Sequence, residues 1–133
     1  MGETGFVKAM QILDLNHVAL HVKNVTESAH FYGEVIGLEP KARPAFNFDG
    51  AWFALGKVRE LHLLEGRDQP VPSHHRAGHF AIEVNSVAEA AEHLQKSGLS
   101  IHGPQTRPDG ALQVFVTDPD GHWVEFCEVP RSE

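Results

Sequence analysis

The sequence has few of the features that place a protein in an oxidising compartment or in a membrane. Its 133 residues include a single cysteine, Cys127, so no intrachain disulfide can form. No run of about 18 apolar residues occurs, as a transmembrane helix would require. The N-terminal residues also lack the apolar stretch of a signal peptide. We therefore expect a cytoplasmic protein.

The chain is also poor in basic residues. It has 11 lysines and arginines against 18 acidic residues, a formal net charge of −7, and no basic run. Such a surface cannot neutralise phosphates, so neither a nucleic acid nor an anionic membrane is expected as a partner. With 41% hydrophobic residues the chain can bury one ordinary core. We expect a single domain over residues 1–133 with a small-molecule partner.

An internal repeat is the most informative feature that is present. The segment that starts at His17 (His-Val-Ala-Leu-His-Val-Lys-Asn-Val-Thr-Glu-Ser-Ala) aligns without a gap on the segment that starts at His79, 62 positions later. Phe115 follows Phe53 at the same offset, and Glu125 follows His62 at an offset of 63. The repeat predicts two like modules.

Hydrophobic periodicity and turn residues place a strand, a helix and further strands in each module. Module one spans about residues 13–65, a Pro-rich linker about 66–77, and module two about 78–129. The predicted strands are Leu15–Val22, Phe46–Leu55, Leu61–Leu64, Gly78–Val84, Leu99–His102, Leu112–Thr117 and His122–Val129, and the predicted helices Glu27–Gly37 and Val87–Ser97. The expected class is α+β, with two tandem β-α-β-β-β modules whose sheets curl around a shared metal-binding cavity.

Strand alternation separates a core side from a cavity side. Four good metal ligands at repeat-related positions fall on the cavity side: His17, His62, His79 and Glu125. Three imidazoles and one carboxylate suit one divalent ion such as Zn, Ni, Co, Fe or Mn, with Cu(II) also compatible. Each histidine alone is equally well explained as a polar residue on a half-buried strand, so the set carries the prediction.

Further residues are candidates for catalysis and substrate binding. Glu125 is the first candidate for a general base. His21 and Glu83, which share a strand face with a predicted ligand, are second candidates. An aromatic pocket is sought in Trp52, Phe53, Phe115 and Trp123, although large aromatic residues on strands belong to the core by default. Arg43, Arg59 and Arg107 flank strand ends near the expected cavity mouth. His74-His75 lies in the Pro-rich linker and is expected to be a solvated loop.

Several motifs resemble those of the vicinal oxygen chelate superfamily, also called the glyoxalase/bleomycin-resistance/dioxygenase fold. They are Asn16-His-Val-Ala-Leu-His-Val, His30-Phe-Tyr followed by Gly37-Leu38, and the closing Asp118-Pro-Asp-Gly-His-Trp-Val-Glu-Phe. The segment from Arg43 to Trp52, with Leu61-His-Leu-Leu-Glu after it, further resembles a glyoxalase-like subgroup. The resemblance covers about residues 13–129.

The resemblance implies a metal held by the first and last strands of each module, which here means His17, His62, His79 and Glu125. The ion keeps open positions for two neighbouring substrate oxygens and acts as a Lewis acid that stabilises an enediolate or oxyanion. Glyoxalase I usually has glutamate where this chain has His62, and methylmalonyl-CoA epimerase has glutamine. A symmetric two-glutamate proton shuttle is therefore not expected.

Three functions remain open at this stage. The first is a metal-dependent lyase or isomerase of glyoxalase type. The second is a non-catalytic binding or resistance protein, and the third is an Fe(II) ring-cleaving dioxygenase, in which His62 would crowd a two-histidine, one-carboxylate triad. The resemblance also implies a homodimer, in which His17 and His62 of one chain meet His79 and Glu125 of the other if modules are exchanged.

Overall fold

The structure, a computed structural model, describes residues 10–130. Residues 1–9 and 131–133 lie outside the described part, and with them most of the N-terminal segment on which the expectation about a signal peptide rests. Between residues 10 and 130 no helix combines the length and the apolar character needed to cross a membrane.

Eight strands and two α-helices alternate in two matching halves. The strands are β1 His17–Val22, β2 Pro40–Lys41, β3 Gly50–Leu55, β4 Arg59–Glu65, β5 Phe80–Glu83, β6 His102–Thr106, β7 Leu112–Thr117 and β8 Trp123–Glu128. The helices are α1 Val25–His30, which continues into a π-helical segment Phe31–Ile36, and α2 Val87–Lys96.

Each half forms one four-stranded sheet with the same connectivity. The strand orders are β1-β4-β3-β2 and β5-β8-β7-β6. In both sheets the first and last strands of the module pair in parallel, and the remaining neighbours are antiparallel. β1 and β5 are thus edge strands. The predicted α+β class and the tandem modules are confirmed.

Side-chain caps determine where both helices begin. The side chain of Asn24 accepts a hydrogen bond from the backbone of Glu27 at 3.0 Å, and Ser86 caps α2 through the backbone of Glu89 at 3.1 Å. Both contacts satisfy an amide that has no partner within its helix. The first helix ends at Gly37, whose φ of +94° favours glycine.

Two predicted strands differ clearly in their bounds from the structure, and the short strand β2 was not predicted. Residues 46–49 are a loop rather than the start of β3, and the short strand β2 precedes them. Phe46 and Phe48 alternate as in a strand, but both are exposed, so no core face holds them there. Strand β6 begins at His102, where the predicted strand ended, because Leu99 and Ile101 pack against the core before it starts.

One hydrophobic core joins the two modules. Leu20 and Val22 of β1 and Leu61 and Leu63 of β4 are buried there, with Val22 and Leu61 fully covered. The cluster consists of Leu20, Val22, Phe31, Tyr32, Phe53, Leu61, Leu63, Val87, Ala91, Leu94, Val114, Val116, Val124 and Phe126. It lies on the helix side of the sheets, which leaves their other side open for polar groups.

The turn between β7 and β8 connects module two to module one. Asp118 accepts a hydrogen bond from the Tyr32 hydroxyl at 2.8 Å. Asp120 accepts from the backbone of Lys23 at 2.8 Å and from Nε of Arg67 at 2.7 Å. These buried acceptors hold the two modules in one relative position.

Candidate functional site

The predicted metal ligands lie in two separate pairs, one on each sheet. His17 and His62 come from β1 and β4, and His79 and Glu125 come from the start of β5 and from β8. All four lie on the open side, as the alternation predicts. Within residues 10–130 no group of three or more His, Cys, Asp or Glu side chains is arranged to hold a metal ion. The four candidates thus form two pairs within residues 10–130, and we call each pair a half-site.

The pair on the second sheet is held by hydrogen bonds on both of its members. Nε2 of His79 lies 3.0 Å from Oε1 of Glu125. Nδ1 of His79 lies 2.9 Å from the carbonyl oxygen of Ala77, and Oε2 of Glu125 accepts from Nε2 of Gln113 at 2.9 Å. Glu125 is only 4% exposed. Both side chains are thus oriented before any ligand arrives.

The hydrogen bonds of His79 determine its tautomer. A carbonyl oxygen only accepts, so Nδ1 carries the proton and donates it to Ala77. In the neutral ring the lone pair of Nε2 then faces the carboxylate oxygen of Glu125. Two lone pairs at this distance require a cation between them, either a proton or a metal ion. A histidine fixed through its second nitrogen is typical of metal sites, so the donor set of this pair fits a divalent ion.

The pair on the first sheet is stacked instead of facing nitrogen to oxygen. The rings of His17 and His62 have centroids 4.1 Å apart, and the other face of His62 stacks on Trp52 at 3.9 Å. Nδ1 of His17 donates to the side-chain oxygen of Asn16 at 2.8 Å. This bond leaves Nε2 of His17 with a free lone pair, so His17 also fits a ligand role.

Glu60 is a site residue that the sequence analysis did not single out. Its Oε1 lies 2.9 Å from Nε2 of His62, and its Oε2 lies 2.9 Å from Nζ of Lys41. The hydrogen bond from His62, together with Lys41, lowers the pKa of this carboxyl. Nε2 of His62 therefore donates, and only its Nδ1 remains for a metal. Strand alternation could have indicated this contact, since Glu60 and His62 are two residues apart on one strand face.

Two cavities lie between the edge strands β1 and β5. One, of about 370 Å³, is lined by His21, His79 and Trp123 and is covered by linker residues 67–73. The other, of about 570 Å³, is lined by His17 and Glu83. The structure thus places the predicted bases His21 and Glu83 in different cavities, and Glu125 lines neither of them.

Of the two linker histidines, His74 is exposed as the sequence predicts, whereas His75 is half-buried. His75 packs against His102, Trp123 and Phe115, with ring centroids 4.2, 5.2 and 5.8 Å away. Its Nδ1 atom is buried and has no hydrogen-bond partner within the described residues. Burial, with the neighbouring His74 and His102, lowers the pKa of this imidazole. Ser73 anchors the loop by accepting from the backbone of Trp123 at 2.8 Å.

Trp123 and Phe115 lie on the open side, as expected for pocket residues, and Phe115 is almost completely buried beneath the rings around it. Phe53 does not. It is 3% exposed, belongs to the core, and lies on the helix side beside Gly33. Phe53 is therefore a core residue and does not line a pocket on the open side.

The strand register explains why Trp52, and not Phe53, lies on the open side. Trp52 is paired with His62 in β3 and β4, as Phe115 is with Glu125 in β7 and β8. Trp52 is thus the structural counterpart of Phe115, and the one-residue slip between the modules comes before β3.

The three arginines of the sequence analysis have different surroundings. Arg59 pairs with Asp14 at 2.9 Å, and Arg107 pairs with Asp109 at 2.7 Å, both on the surface. The guanidinium of Arg43 lies over the rings of Phe46 and Phe48, 4.8 and 4.9 Å from their centroids. Only Arg43 of the three adjoins the aromatic residues on the open side of a sheet.

Known proteins resemble the chain along nearly its full length. It is 29% identical over 126 residues to "Glyoxylase I 4" of Arabidopsis thaliana, covering 89% of this chain and 72% of the relative. It is 30% identical over 127 residues to the lactoylglutathione lyase of Salmonella typhimurium, covering 86% of this chain and 91% of the relative. A solved structure described as a glyoxalase family protein from Bacillus anthracis matches with a TM-score of 0.80 and 28% identity, covering 92% of this chain and 100% of that one.

A family model matches residues 14–126, which include both modules and both half-sites. The repeated sheet topology is the one that the sequence motifs predict. The chain belongs to the Glyoxalase/Bleomycin resistance protein/Dioxygenase superfamily.

Proposed function

We propose that this protein is a metal-dependent lyase or isomerase of glyoxalase type. Its substrate is a small molecule with two neighbouring oxygens, and the adduct of a thiol with an α-oxo aldehyde is the first substrate to test. Relatives named glyoxalase I and lactoylglutathione lyase support this choice over the other activities of the superfamily. We also propose a cytoplasmic location.

The observation that carries the proposal is the contact between His79 and Glu125. Nε2 and Oε1 lie 3.0 Å apart, and each side chain is held from behind, His79 by the Ala77 carbonyl and Glu125 by Gln113. Holding two such acceptors together costs free energy unless a cation is shared between them. A proton supplies that cation in an ion pair, and a divalent ion supplies it in a metal site, so the metal content of the protein distinguishes the two.

We further propose that a second copy of the chain completes the site. One chain has one pair of ligands on each sheet, and His17 and His79 line different cavities. In a two-fold symmetric dimer, the first sheet of one chain can face the second sheet of the other. His17 and His62 of each chain then lie near His79 and Glu125 of the other chain, so the dimer has two composite sites. The ligand set remains the one that the sequence predicts.

The proton-transfer step is assigned to Glu125. A bound divalent ion supplies Lewis-acid polarisation of the substrate oxygens. Gln113 holds Oε2 of Glu125, so Oε1 would receive a substrate proton once it is released from the ion. Burial of the carboxylate at 4% exposure excludes water from competing for that proton. His21 and Glu83 each line one of the two cavities between β1 and β5, neither of which Glu125 lines, and they rank below Glu125 as the base.

Metal content tests the activity class. Protein purified without chelator is expected to contain about one transition-metal ion per chain, and His17→Ala and Glu125→Ala are each expected to lose it. Lys96→Gln, at an exposed ion pair on α2, is the matched control and keeps the ion. Absence of metal from the wild type, even after reconstitution, would favour the non-catalytic binding function instead.

A heterodimer tests the composite arrangement. Two differently tagged chains, one carrying His17→Ala and the other Glu125→Ala, are co-expressed, and the heterodimer is isolated through both tags. Composite sites leave one site with all its ligands, so about one ion binds per heterodimer. If each site lay within one chain, both sites would be defective and no ion would bind. The two homodimeric variants serve as the zero reference.

A further inference from the structure

A row of rings crosses the open side of the first sheet. Phe48 contacts Phe46 at 5.2 Å between ring centroids, and Phe46 contacts Trp52 at 6.2 Å. Trp52 then stacks on His62 with an interplanar angle of 4°, and His62 stacks on His17. We call Phe46, Phe48 and Trp52 the aromatic row. It begins in the loop before β3 and ends at the half-site of the first module.

The outer part of the aromatic row is exposed. Phe46 and Phe48 are 47% and 40% exposed, although they contact each other and Trp52. Large apolar side chains that are exposed together, beside a site, indicate a surface that gains free energy when it is covered. A flat ligand that stacks on these rings would provide that cover.

Arg43 supplies a positioned positive charge at the same place. Besides lying over both rings, it donates from Nη2 to the carbonyl oxygen of Phe48 at 2.8 Å. Gly50 leaves room for it, because a Cβ there would overlap the carbonyl oxygen of Leu63 and lie 3.0 Å from Nε of Arg43. The guanidinium is therefore built into the loop and is not a freely moving surface charge.

This charge has no carboxylate partner in the part of the chain that the structure describes. Arg59, Arg67 and Arg107 each pair with an aspartate, whereas Arg43 forms no salt bridge within residues 10–130. The whole chain carries a formal charge of −7, which repels anions in general. An unpaired guanidinium beside exposed rings is thus a local exception that favours one kind of ligand.

We propose that the aromatic row and Arg43 bind an aromatic carboxylic acid. Its flat ring stacks on Phe46 and Phe48, and its carboxylate receives hydrogen bonds from the guanidinium, whose fork matches a carboxylate. Binding at this surface needs neither a metal ion nor a partner chain. The inference therefore stands apart from the proposed lyase activity, and either can fail without the other.

Calorimetric titration of chelator-treated protein with 2-naphthoate tests the proposal. The references are decahydro-2-naphthoate, which has the charge without the flat ring, and 2-naphthalenemethanol, which has the ring without the charge. We expect 2-naphthoate to bind about tenfold more tightly than either reference. Equal affinity for 2-naphthoate and its saturated counterpart, or no binding of 2-naphthoate, would overturn the proposal.

Variants locate the binding surface. Phe46→Leu and Phe48→Leu keep an apolar side chain and lose the ring, so each is expected to weaken 2-naphthoate binding roughly twofold to tenfold. Arg43→Gln is expected to remove the preference for the acid over the alcohol. Val58→Ala, at another exposed apolar side chain, and Arg107→Gln are matched controls with unchanged affinity.

Size-exclusion chromatography of the same variants distinguishes a different occupant. If Phe46→Leu and Phe48→Leu change the oligomeric state and leave 2-naphthoate affinity unchanged, a second copy of the chain covers the aromatic row and the proposal is wrong. If the oligomeric state is unchanged and affinity falls, the ligand contacts the rings as proposed. Thermal unfolding of each variant shows whether a loss of binding reflects a loss of fold.

Discussion

Nε2 of His79 lies 3.0 Å from Oε1 of Glu125, across two strands of one sheet. The equivalent pair in the first module, His17 and His62, is stacked ring on ring. The two modules therefore repeat their backbone but use their open sides differently. The second sheet holds a histidine–carboxylate pair in which Glu125 is buried, and the first presents an imidazole at the end of an aromatic row.

Gln113 is expected to position Glu125 for metal binding. Gln113→Leu removes the hydrogen bond to Oε2 and keeps most of the side-chain volume. If the proposed site exists, affinity for the divalent ion should fall about 10- to 100-fold, as measured by competition with a chelator. Gln95→Leu, on the exposed face of α2, is the control. Unchanged affinity in Gln113→Leu would show that Gln113 does not orient a metal ligand.

Tyr32 is expected to stabilise the fold through its hydroxyl. The bond to Asp118 is buried and spans the two modules at 2.8 Å. Tyr32→Phe leaves an acceptor of Asp118 without this donor, so we expect the free energy of unfolding in urea to fall by about 1–2 kcal/mol. Ser97→Ala, which loses an exposed hydrogen bond at the end of α2, should change it by less than about 0.5 kcal/mol.

The ionisation of Tyr32 gives a second test, because the chain has one tyrosine. Burial, with the nearby Asp118, raises the pKa of its hydroxyl well above 10.0. The stabilisation is then fully present below the unfolded pKa of about 10 and is lost as pH rises through the higher folded pKa. Phenolate absorbance should therefore appear together with unfolding at alkaline pH. Ionisation of a folded protein near pH 10 would contradict the prediction.

Arg67 and Asp120 are expected to govern stability in acid. Burial raises the pKa of Asp120, but hydrogen bonds from Arg67, Lys23 and Ser28 outweigh it, so the pKa lies below 3.8. The stabilisation is present above the unfolded pKa of about 4 and is lost as pH falls through the folded pKa. Arg67→Gln should lower the free energy of unfolding at pH 7 by about 2 kcal/mol.

The control for that prediction is Arg107→Gln, since Arg107 and Asp109 form an exposed pair. Its effect should stay below about 1 kcal/mol. The difference between Arg67→Gln and the wild type should shrink as pH falls toward 3. A difference that persists unchanged in acid would mean that Arg67 acts through packing and not through the Asp120 carboxylate.

Cys127 is expected to react slowly with alkylating reagents. Burial, with Glu125 and Glu83 nearby, raises the pKa of its thiol. Less thiolate is then present at pH 8, so iodoacetamide should modify the folded protein several-fold more slowly than a free thiol. Mass spectrometry follows the reaction at this one cysteine, and unfolding in urea should restore the faster rate. Equal rates in both states would contradict the prediction.

Much of the fold could be predicted because strand alternation and helix caps are local. The side of the sheet on which His17, His62 and Glu125 lie follows from a period of two residues. Asn24 caps the first helix because its side chain reaches the backbone of Glu27. These features depend on residues close together in the sequence.

Other features could not be predicted from the sequence because they depend on contacts with distant residues. Phe46 and Phe48 have a strand pattern, but Arg43 lies over both rings and the chain forms a loop. His75 resembles a solvated linker residue, yet the loop folds back onto His102 and Trp123. No local pattern predicts such contacts, since their partners belong to other elements.

The sequence by itself determined the two-module repeat, the open side of each sheet and the identity of the four candidate ligands. Only the tertiary structure decided that His17 and His62 remain apart from His79 and Glu125 within residues 10–130. The separation between sheets depends on how the helices and the linker pack in a common core, and on the contacts of Asp118 and Asp120. That packing depends on many contacts between residues far apart in the sequence, whereas the alternation along a strand depends only on the residues of that strand.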